Sequence, residues 1–344
     1  SREGHIDLER GEGWIDLREA NVLFTPLPFL DVKIGRQILT WGTGDLLFVN
    51  DLFPKDWNAF FIGRDEEYLK APSDAVKLAL FSASANLDVV YTPRFDPNRF
   101  PDNRRLSSWN RLLLRRWGED RTAHYDTPDE WLRDDEIAVR LYRNVRGYEL
   151  ALYGYDGFWK NPNAFLLREG RATFTDLTVV GASVRGVVGK GIGNVEMGYY
   201  LSGDDEDGER PYIPNSQFRF LLGYEQEIGR NFTAGMQYYL EWIQDYDAYL
   251  DSLPTGEPEA DEDRHVFTLR LTKLLMQQNL TLSVFAYCSP SDLDAYLRPQ
   301  AKYKVTDYLS VEAGGNLFLG NYPHTFFGQF DRNTNIYGAV RYGF

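Results

Sequence analysis

Cysteine, histidine and long apolar runs are all scarce in this sequence of 344 residues. The one cysteine, Cys288, cannot form an internal disulfide, so a small disulfide-stapled framework is excluded. No stretch approaches the roughly 18 apolar residues that a membrane-spanning helix requires, which excludes a helical membrane protein. No signal peptide is recognisable after Ser1, and we interpret the sequence as a mature or trimmed chain.

The overall composition is acidic, polar and rich in aromatic residues. The net charge is −14, aromatic residues make up 15% of the chain, and the mean hydropathy is −0.44. An acidic soluble protein has such averages, but so does a β-barrel with a wet lumen, because only alternate residues of its strands meet lipid. Acidic runs at 204–207 and 257–263 are typical of solvated loops, with divalent-cation binding as the alternative.

Apolar and polar residues alternate along many short segments, as in half-buried β-strands. The segments Val195–Leu201 and Phe232–Trp242 show this period of two most clearly. The predicted strands are 1–9, 14–26, 29–41, 75–83, 86–95, 136–143, 147–156, 175–188, 194–203, 217–228, 231–244, 265–276, 279–288, 295–305, 308–320 and 334–344. The pattern therefore predicts an all-β fold.

The connectors between these segments alternate between tight turns and long polar loops. Seven of them are short and contain turn residues, for example Asn144–Gly147 and Lys190–Gly193. The long ones are 42–74, 96–135, 157–174, 204–216, 245–264 and 321–333. Short periplasmic turns and long outer loops are the pattern of outer-membrane barrels. The sequence predicts a single domain over 1–344, a transmembrane antiparallel β-barrel of about 16 strands in the bacterial outer membrane.

The C-terminal segment carries an apolar stripe that ends in an aromatic residue. Ile336, Val340, Tyr342 and the terminal Phe344 share one parity. This arrangement resembles the signal of proteins inserted by the barrel-assembly machinery, and it implies that machinery as a partner. A chance hydrophobic strand at the C-terminus is the alternative interpretation.

A second resemblance lies near the N-terminus. Gly35-Arg36-Gln37, Trp41-Gly42, Asp45 and the run 50–56 (NDLFPKD) resemble the second hairpin and first large loop of porin-like families related to alginate-export barrels. The resemblance covers about a tenth of the chain. It implies the barrel fold and leaves the transported molecule open.

Parity along the strands places charged side chains on the inside of the predicted barrel. Four oppositely charged pairs fall across short turns: Lys302 with Glu312, Arg185 with Glu196, Arg219 with Glu241, and Arg140 with Glu149. We expect them to form cross-strand ion pairs, each worth roughly 0.2–1 kcal/mol. Charges in such number also require water beside them.

The segment 99–121 combines seven arginines with only three acidic residues. Leu106, Trp109, Leu113 and Trp117 recur at helical spacing, which predicts a short amphipathic helix. Such a helix either folds into the barrel and offers arginine to the pore, or lies at the rim against lipopolysaccharide phosphates. The other large loop, 42–74, is aromatic and requires shelter through an inward fold or a partner.

Together these features favour a channel for small hydrophilic, in particular anionic, solutes. The predicted pore-lining residues are Arg111, Arg115, Arg116, Arg140, Arg185, Arg219, Arg270, Arg298, Lys302, Lys304, Glu312 and Arg341. An export barrel that works with periplasmic partners is the first alternative. A barrel hydrolase is the second, although none of the four histidines lies in a recognisable triad pattern. We expect no metal, no cofactor and no nucleic acid, and we expect contact with outer-membrane lipid and lipopolysaccharide.

Overall fold

The computed structural model of the chain describes residues 2–7, 12–101, 103, 105–111, 113–118, 125–166 and 171–343. The strands are β1 (Arg2–Asp7), β2 (Glu12–Leu17), β3 (Ala20–Leu27), β4 (Leu30–Ile38), β5 (Pro72–Leu80), β6 (Asn86–Thr92), β7 (Ser108–Asn110), β8 (Arg115–Trp117), β9 (Tyr125–Asp126), β10 (Glu136–Val145), β11 (Tyr148–Phe158), β12 (Ala164–Leu166), β13 (Arg171–Thr173), β14 (Asp176–Val188), β15 (Gly191–Ser202), β16 (Gln217–Gly229), β17 (Phe232–Ile243), β18 (Asp263–Leu275), β19 (Leu280–Ser289), β20 (Asp294–Lys304), β21 (Leu309–Gly320) and β22 (Asn335–Tyr342). The helices are α1 (Trp57–Phe61), α2 (Tyr246–Ser252) and two 3₁₀ helices, Glu66–Leu69 and Gly328–Asn333. No helix among these residues is long and apolar enough to span a membrane.

Fifteen of the strands form one large antiparallel sheet. Its order is β22-β21-β20-β19-β18-β17-β16-β15-β14-β11-β10-β6-β5-β4-β3. Each strand of this sheet therefore pairs with the sheet strands that come before and after it in the sequence. The predicted alternation of connectors is present. All seven predicted short turns lie at one end of the sheet, and the long loops lie at the other. Among the described residues, 290–293 is the one short connector at that end between two strands of this sheet.

The first predicted strand differs from the expectation. We predicted 1–9 as a strand of the barrel, but β1 pairs only with β2, from Arg2 opposite Leu17 to Asp7 opposite Glu12. The predicted strand 14–26 is divided into β2 and β3, and only β3 joins the large sheet. Within the described residues the sheet therefore has fifteen strands, and the β1–β2 hairpin stands apart from it.

The predicted helix in 99–121 is also wrong. The described residues there form a hairpin of β7 and β8, in which Trp109 lies opposite Arg116. The Asn110 side chain accepts a hydrogen bond from the backbone N–H of Leu113, and Leu114 has a φ of +48°. Such local side-chain bonds favour turns over helix interiors, which explains why the helical spacing misled. Arg104 and Arg121 of this segment lie outside the described residues.

The two faces of the large sheet differ in polarity. One face, the outer face, exposes aliphatic and aromatic side chains, among them Val180, Met236 and Ile336, which are 55%, 63% and 91% exposed. The opposite face carries buried polar groups such as Glu196 and Asn316. We call it the inner face, because residues 42–71, the inner segment, pack against it.

The inner segment contacts both halves of the sheet. Phe53 belongs to a buried cluster with wall residues of β5 to β15, whereas Phe61 belongs to a second cluster with residues of β16 to β21. The carboxylate of Asp65 lies 2.9 Å from the guanidinium of Arg341 in β22, and only seven residues later Pro72 begins β5. Seven residues span at most about 25 Å. Twelve strand spacings of a flat sheet would separate β22 from β5 by about 58 Å, so the sheet must curve around the segment.

Local sequence explains how the inner segment adopts this path. The Asp56 carboxylate accepts a hydrogen bond from the Ala59 N–H at 2.8 Å and so caps the short helix α1. Gly42 has a φ of +78°, and a Cβ there would lie 2.9 Å from the Glu196 carboxylate. Gly63 has a φ of +88°, and a Cβ would overlap the Tyr337 ring. Both positions therefore require glycine.

Candidate functional site

A cavity of about 600 Å³ lies among the long loops. Its lining includes Trp109, Arg111, Glu257, Asp292 and His324. We call it the outer cavity. Burial lowers the pKa of the His324 imidazole, and its ring packs against Trp109, with 6.5 Å between ring centroids. This side chain therefore acts mainly as a neutral aromatic element of the wall.

A second cavity, of about 350 Å³, lies deeper, against the inner segment. We call it the inner cavity. Its lining is dominated by aromatic rings: Phe48, Phe53, Trp57 and Phe60 from the inner segment, and Trp159, Tyr200, Tyr239, Phe285, Tyr287, Tyr296, Phe326 and Phe327 from the wall and loops. Asn163, Gln217, Arg264 and Phe326 line both cavities, so the two adjoin one another.

Each cationic side chain that lines the inner cavity has a carboxylate partner. Arg219 lies 3.4 Å from Glu241, and Arg264 lies 2.5 Å from Asp292. Lys55 lies 3.0 Å from Asp51. The fourth cation, Lys160, pairs with Glu136. Positive charge in the cavity is therefore neutralised group by group.

Three of these cations also contact aromatic rings, and one of them, Lys160, lies 5.0 Å from the centroid of the Phe95 ring. The Arg219 guanidinium lies 4.0 Å from the centroid of the Tyr200 ring and 5.5 Å from that of Trp159. The Lys55 ammonium lies 4.7 Å from the centroid of the Phe48 ring, and burial of this side chain lowers its pKa. Such cation–π contacts hold the rings and the charges in fixed positions.

Below the inner cavity, ion pairs join the inner segment to the sheet. The Arg270 guanidinium donates to the Asp45 carboxylate at 2.5 and 2.9 Å and to the Glu66 carboxylate at 3.0 and 3.1 Å. The Arg298 guanidinium donates to the carbonyl oxygens of Phe60 at 3.1 Å and Arg64 at 2.5 Å. Charge-assisted bonds of this kind are roughly twice as strong as neutral ones, and they fix the segment to the wall.

Asp65 is the centre of a further group of charges, which we call the Asp65 cluster: Asp65, Lys302, Glu312 and Arg341. Arg341 pairs with both carboxylates, and the Lys302 ammonium lies 3.7 Å from Asp65. Burial, together with the neighbouring Glu312 carboxylate, raises the pKa of Asp65. The side chain therefore titrates at a higher pH than an exposed aspartate.

Two of the four predicted cross-strand ion pairs form. Arg219 pairs with Glu241, and Arg140 pairs with Glu149 at 2.6 Å. The prediction that Lys302 pairs with Glu312 is wrong, although the two residues are opposite one another in register. The Glu312 carboxylate is bonded instead to Arg341 and, at 2.6 Å, to the Gln300 side chain.

The predicted pair of Arg185 and Glu196 is also wrong. The Glu196 carboxylate accepts hydrogen bonds from Thr43 and Asn50 of the inner segment, at 2.7–3.0 Å. Arg185 is exposed, and no ion pair of it occurs within the described ranges. A partner 146 residues distant in sequence has replaced the cross-strand neighbour.

The remaining predicted pore-lining residues lie at the two ends of the sheet. Arg111 pairs with Glu257 at 2.5 Å, and Arg116 pairs with Asp331 at 2.8 Å, so the β7–β8 hairpin contacts other long loops. Arg115 is exposed. At the short-turn end, Lys304 pairs with Asp307 at 2.8 Å.

The aromatic lining of the inner cavity was not among the residues predicted from the sequence. Tyr200, Tyr239, Tyr287 and Tyr296 all belong to inner-face parity near the long-loop ends of their strands. Aromatic residues at strand positions that face the polar inner side could have indicated a cavity lined by aromatic rings. Trp159 and Lys160 follow β11, in a loop whose course the strand pattern does not determine.

No protein-family model matches the chain, and no curated protein matches its sequence. Among solved structures it is similar to a porin refined at high resolution, with 13% identity over 92% of each chain and a TM-score of 0.44. It is similar to Pseudomonas aeruginosa OccK10 (OpdN), with 13% identity, 90% of this chain, 78% of that chain and a TM-score of 0.46. It is also similar to Pseudomonas aeruginosa OccK3 (OpdO), with 11% identity over 91% of this chain and 75% of that chain and a TM-score of 0.49. Similarity this low does not assign a function. The function proposed below rests on the residues of this chain.

Proposed function

We propose that the chain forms an outer-membrane β-barrel channel for small hydrophilic solutes. The observation that carries the proposal is the curvature of the large sheet around the inner segment, with polar groups inside and exposed apolar side chains outside. A water-soluble protein rarely exposes so much contiguous apolar surface. A lipid bilayer covers such a surface, and a barrel is the β-structure that can span one.

A closed barrel of 16 strands is the finer form of this proposal. In the described sheet, β3 and β22 are the two edges, and both run toward the short-turn end. Two strands that run in the same direction cannot close an antiparallel barrel directly, so one strand of opposite direction must lie between them. We propose that β1, which in the described structure pairs only with β2, takes this position in the closed barrel and runs opposite to β3 and β22 there.

Disulfide formation tests this closure. Cys288 is first replaced by serine, and then cysteine at position 5 is combined in turn with cysteine at each position of β22. We expect one register of pairs to cross-link in the outer membrane. Failure of every pair, with β1–β2 pairs cross-linking normally, would contradict the closure while leaving the curved sheet intact.

Preference for anions is a further part of the proposal, and it is expected to be weak. Most of the predicted pore-lining cations hold a carboxylate. Among the described residues, the exposed Arg115 and Arg185 hold none, and neither does the buried Arg298, which donates to backbone carbonyl oxygens. A lumen of paired charges attracts neither sign strongly. Reversal potentials of single channels in a salt gradient measure this directly.

The partners of the channel are also proposed. Lipid and lipopolysaccharide would contact the outer face, and the barrel-assembly machinery would recognise the last strand. Val340 and Tyr342 are 74% and 69% exposed there, whereas Phe344 lies outside the described residues. Replacing Tyr342 and Phe344 by serine should sharply reduce the amount of heat-modifiable barrel in the outer membrane. Normal amounts would argue against this recognition.

We propose a channel and not a hydrolase, and the aromatic partners of His265 and His324 support this choice. His265 Nδ1 lies 2.9 Å from the Tyr238 hydroxyl, and His324 packs against Trp109 and Tyr322. The relation to alginate-export barrels remains part of the proposal, and it depends on the motif around Gly35 and Asn50. Purified protein in planar bilayers should give discrete conductance steps. Bilayers without steps, at protein concentrations that insert, would overturn the channel function.

A further inference from the structure

We propose that the inner cavity binds a neutral mono- or disaccharide, an inference that rests on the proposed channel function and names its solute class. Three independent properties of the cavity support it: balanced charge, abundant aromatic surface and buried polar atoms without partners. A cavity of about 350 Å³ that adjoins one of about 600 Å³ is large enough for a small organic ligand.

Charge balance argues for a neutral ligand. The four cations at the inner cavity, Lys55, Lys160, Arg219 and Arg264, are each paired with a carboxylate. An anionic ligand would have to compete with a carboxylate that is already in place and partly buried. Separating such a pair is costly, because it leaves an uncompensated charge in a poorly solvated position.

Aromatic surface argues for a ligand with flat apolar faces. The half-buried rings of Phe48 and Phe326 lie 6.1 and 5.8 Å from the ring of Trp57, which is also half-buried, and all three line the cavity. Pyranose rings present C–H groups on one or both faces, and these groups pack against aromatic rings. The same sugar carries hydroxyl groups around its edge, which suits a wall where rings and polar groups alternate.

Partnerless polar atoms argue against a purely apolar aromatic ligand. The indole N–H groups of Trp57 and Trp159 are buried without an acceptor among the described residues, and Asn163 Oδ1 is buried without a donor. All three residues line the inner cavity, and Trp159 is only 5% exposed. Each of these atoms has less than 1 Å² of accessible surface, so a ligand reaches them only when neighbouring side chains shift. Sugar hydroxyls both accept and donate hydrogen bonds, so a sugar can then satisfy two donors and one acceptor. An apolar ligand would leave them unsatisfied, which is unfavourable.

The position of the cavity connects binding to passage. Its floor is formed by the inner segment, including Phe53, Trp57 and Phe60, and its upper limit adjoins the outer cavity through Arg264 and Phe326. A sugar entering through the loops would therefore rest directly on the segment that narrows the lumen. Occupancy should interrupt the ion current.

Calorimetric titration of the full chain in detergent, with glucose, maltose and benzoate as probes, tests the proposal. We expect glucose or maltose to bind, and Trp159→Phe to weaken that binding about fivefold, the equivalent of one net hydrogen bond. Trp57→Phe should act similarly. Trp131→Phe is the matched control, because Trp131 is 62% exposed on an outer loop and should leave the affinity unchanged.

A parallel measurement in planar bilayers separates this proposal from the channel itself. We expect millimolar maltose added on the outer-loop side to cause brief current interruptions that are rarer in Trp159→Phe. Conductance without sugar binding, or tighter binding of benzoate than of either sugar, would overturn the saccharide site and leave the channel. Sugar binding without conductance would support the site and overturn the channel. Equal sugar affinity in Trp159→Phe, Trp57→Phe and the wild type would place the sugar elsewhere and overturn the site.

Discussion

The inner segment and the β7–β8 hairpin belong to the two largest loops of the chain, and they differ in what their charged groups contact. Carboxylates of the inner segment bond to arginines of the sheet, as Asp45 does to Arg270. Arginines of the hairpin bond to other loops instead, as Arg111 does to Glu257. The inner segment is thus fixed to the large sheet, and the hairpin is fixed to neighbouring long loops.

Because of this difference, we expect the inner segment and the hairpin to have different roles in a channel. The inner segment buries Phe60 and Phe61 almost completely, and removing it from the wall would expose both clusters of apolar side chains. Leu113 and Leu114 of the hairpin are 47% and 42% exposed. We therefore expect changes in the inner segment to affect both stability and conductance, and changes in the hairpin to affect access alone.

Arg270→Ala should have the largest effect on this comparison. The variant leaves Asp45 and Glu66 without their shared cation, so the inner segment should detach part of the time. We expect a severalfold larger mean conductance and a free energy of unfolding lower by about 1–3 kcal/mol. The control is Arg133→Gln, whose pair with Glu130 is largely exposed and should matter little. Unchanged conductance in Arg270→Ala would show that the segment does not narrow the lumen.

Asp65→Asn should have a smaller effect that depends on pH. Burial and the Glu312 carboxylate raise the pKa of Asp65, so the folded chain binds more protons than the unfolded chain between the ordinary and the raised pKa. The contribution of Asp65 to stability therefore falls as the pH rises through that interval. Protonation on acidification also removes the charge that faces Lys302 and Arg341.

Conductance recorded against pH checks this prediction. The wild type should change its conductance at a pH above the ordinary aspartate pKa of about 3.9, and Asp65→Asn should lack that step. Asp307→Asn is the control, because hydrogen bonding to Lys304 lowers the pKa of this exposed turn residue. A step of unchanged size and position in Asp65→Asn would assign the titration to another group.

How far the sequence predicts these two regions depends on the range of the interactions involved. Strand alternation and turn residues are local, and they predict all fifteen strands of the sheet and its seven short turns, with β3 as the second half of the predicted strand 14–26. Competition between partners is not local. Lys302 and Glu312 are neighbours in register, but Arg341 and Asp65 decide how their charges pair, and Asp65 lies more than two hundred residues earlier in sequence.

The same reasoning explains the hairpin and the cavity. The spacing of Leu106, Trp109, Leu113 and Trp117 fits a helix, but Arg116 bonds to Asp331 and to the Gly328 carbonyl oxygen in a distant loop. Those contacts favour the extended hairpin, and no local pattern records them. The aromatic lining of the inner cavity likewise requires the inner segment to be in place before its rings come together.

Arg111→Ser combined with Arg115→Ser should have the smallest effect. The sequence predicts that these arginines line a constriction, so that the double variant widens the pore and weakens anion preference. The contact of Arg111 with Glu257 favours a smaller change, limited to the outer cavity. Arg115→Ser alone should leave the current unchanged, because this side chain is exposed. The single-channel current and the reversal potential of the double variant distinguish a constriction from a change limited to the outer cavity. If both quantities equal those of the wild type, these arginines do not line a constriction.

The most direct test of the whole account is a cross-link between the inner segment and the wall. Thr43 Oγ1 lies 3.0 Å from Asn194 Nδ2 in β15, so cysteines at these two positions, with Cys288 replaced by serine, should react with a short bifunctional thiol reagent in intact outer membranes. Cysteines at 43 and 283, four strands further along the sheet, should not. We predict efficient cross-linking of the first pair and a conductance that stays low after Arg270→Ala is added. Absence of the cross-link, or a cross-linked Arg270→Ala channel as open as the uncross-linked one, would contradict an inner segment that narrows the lumen.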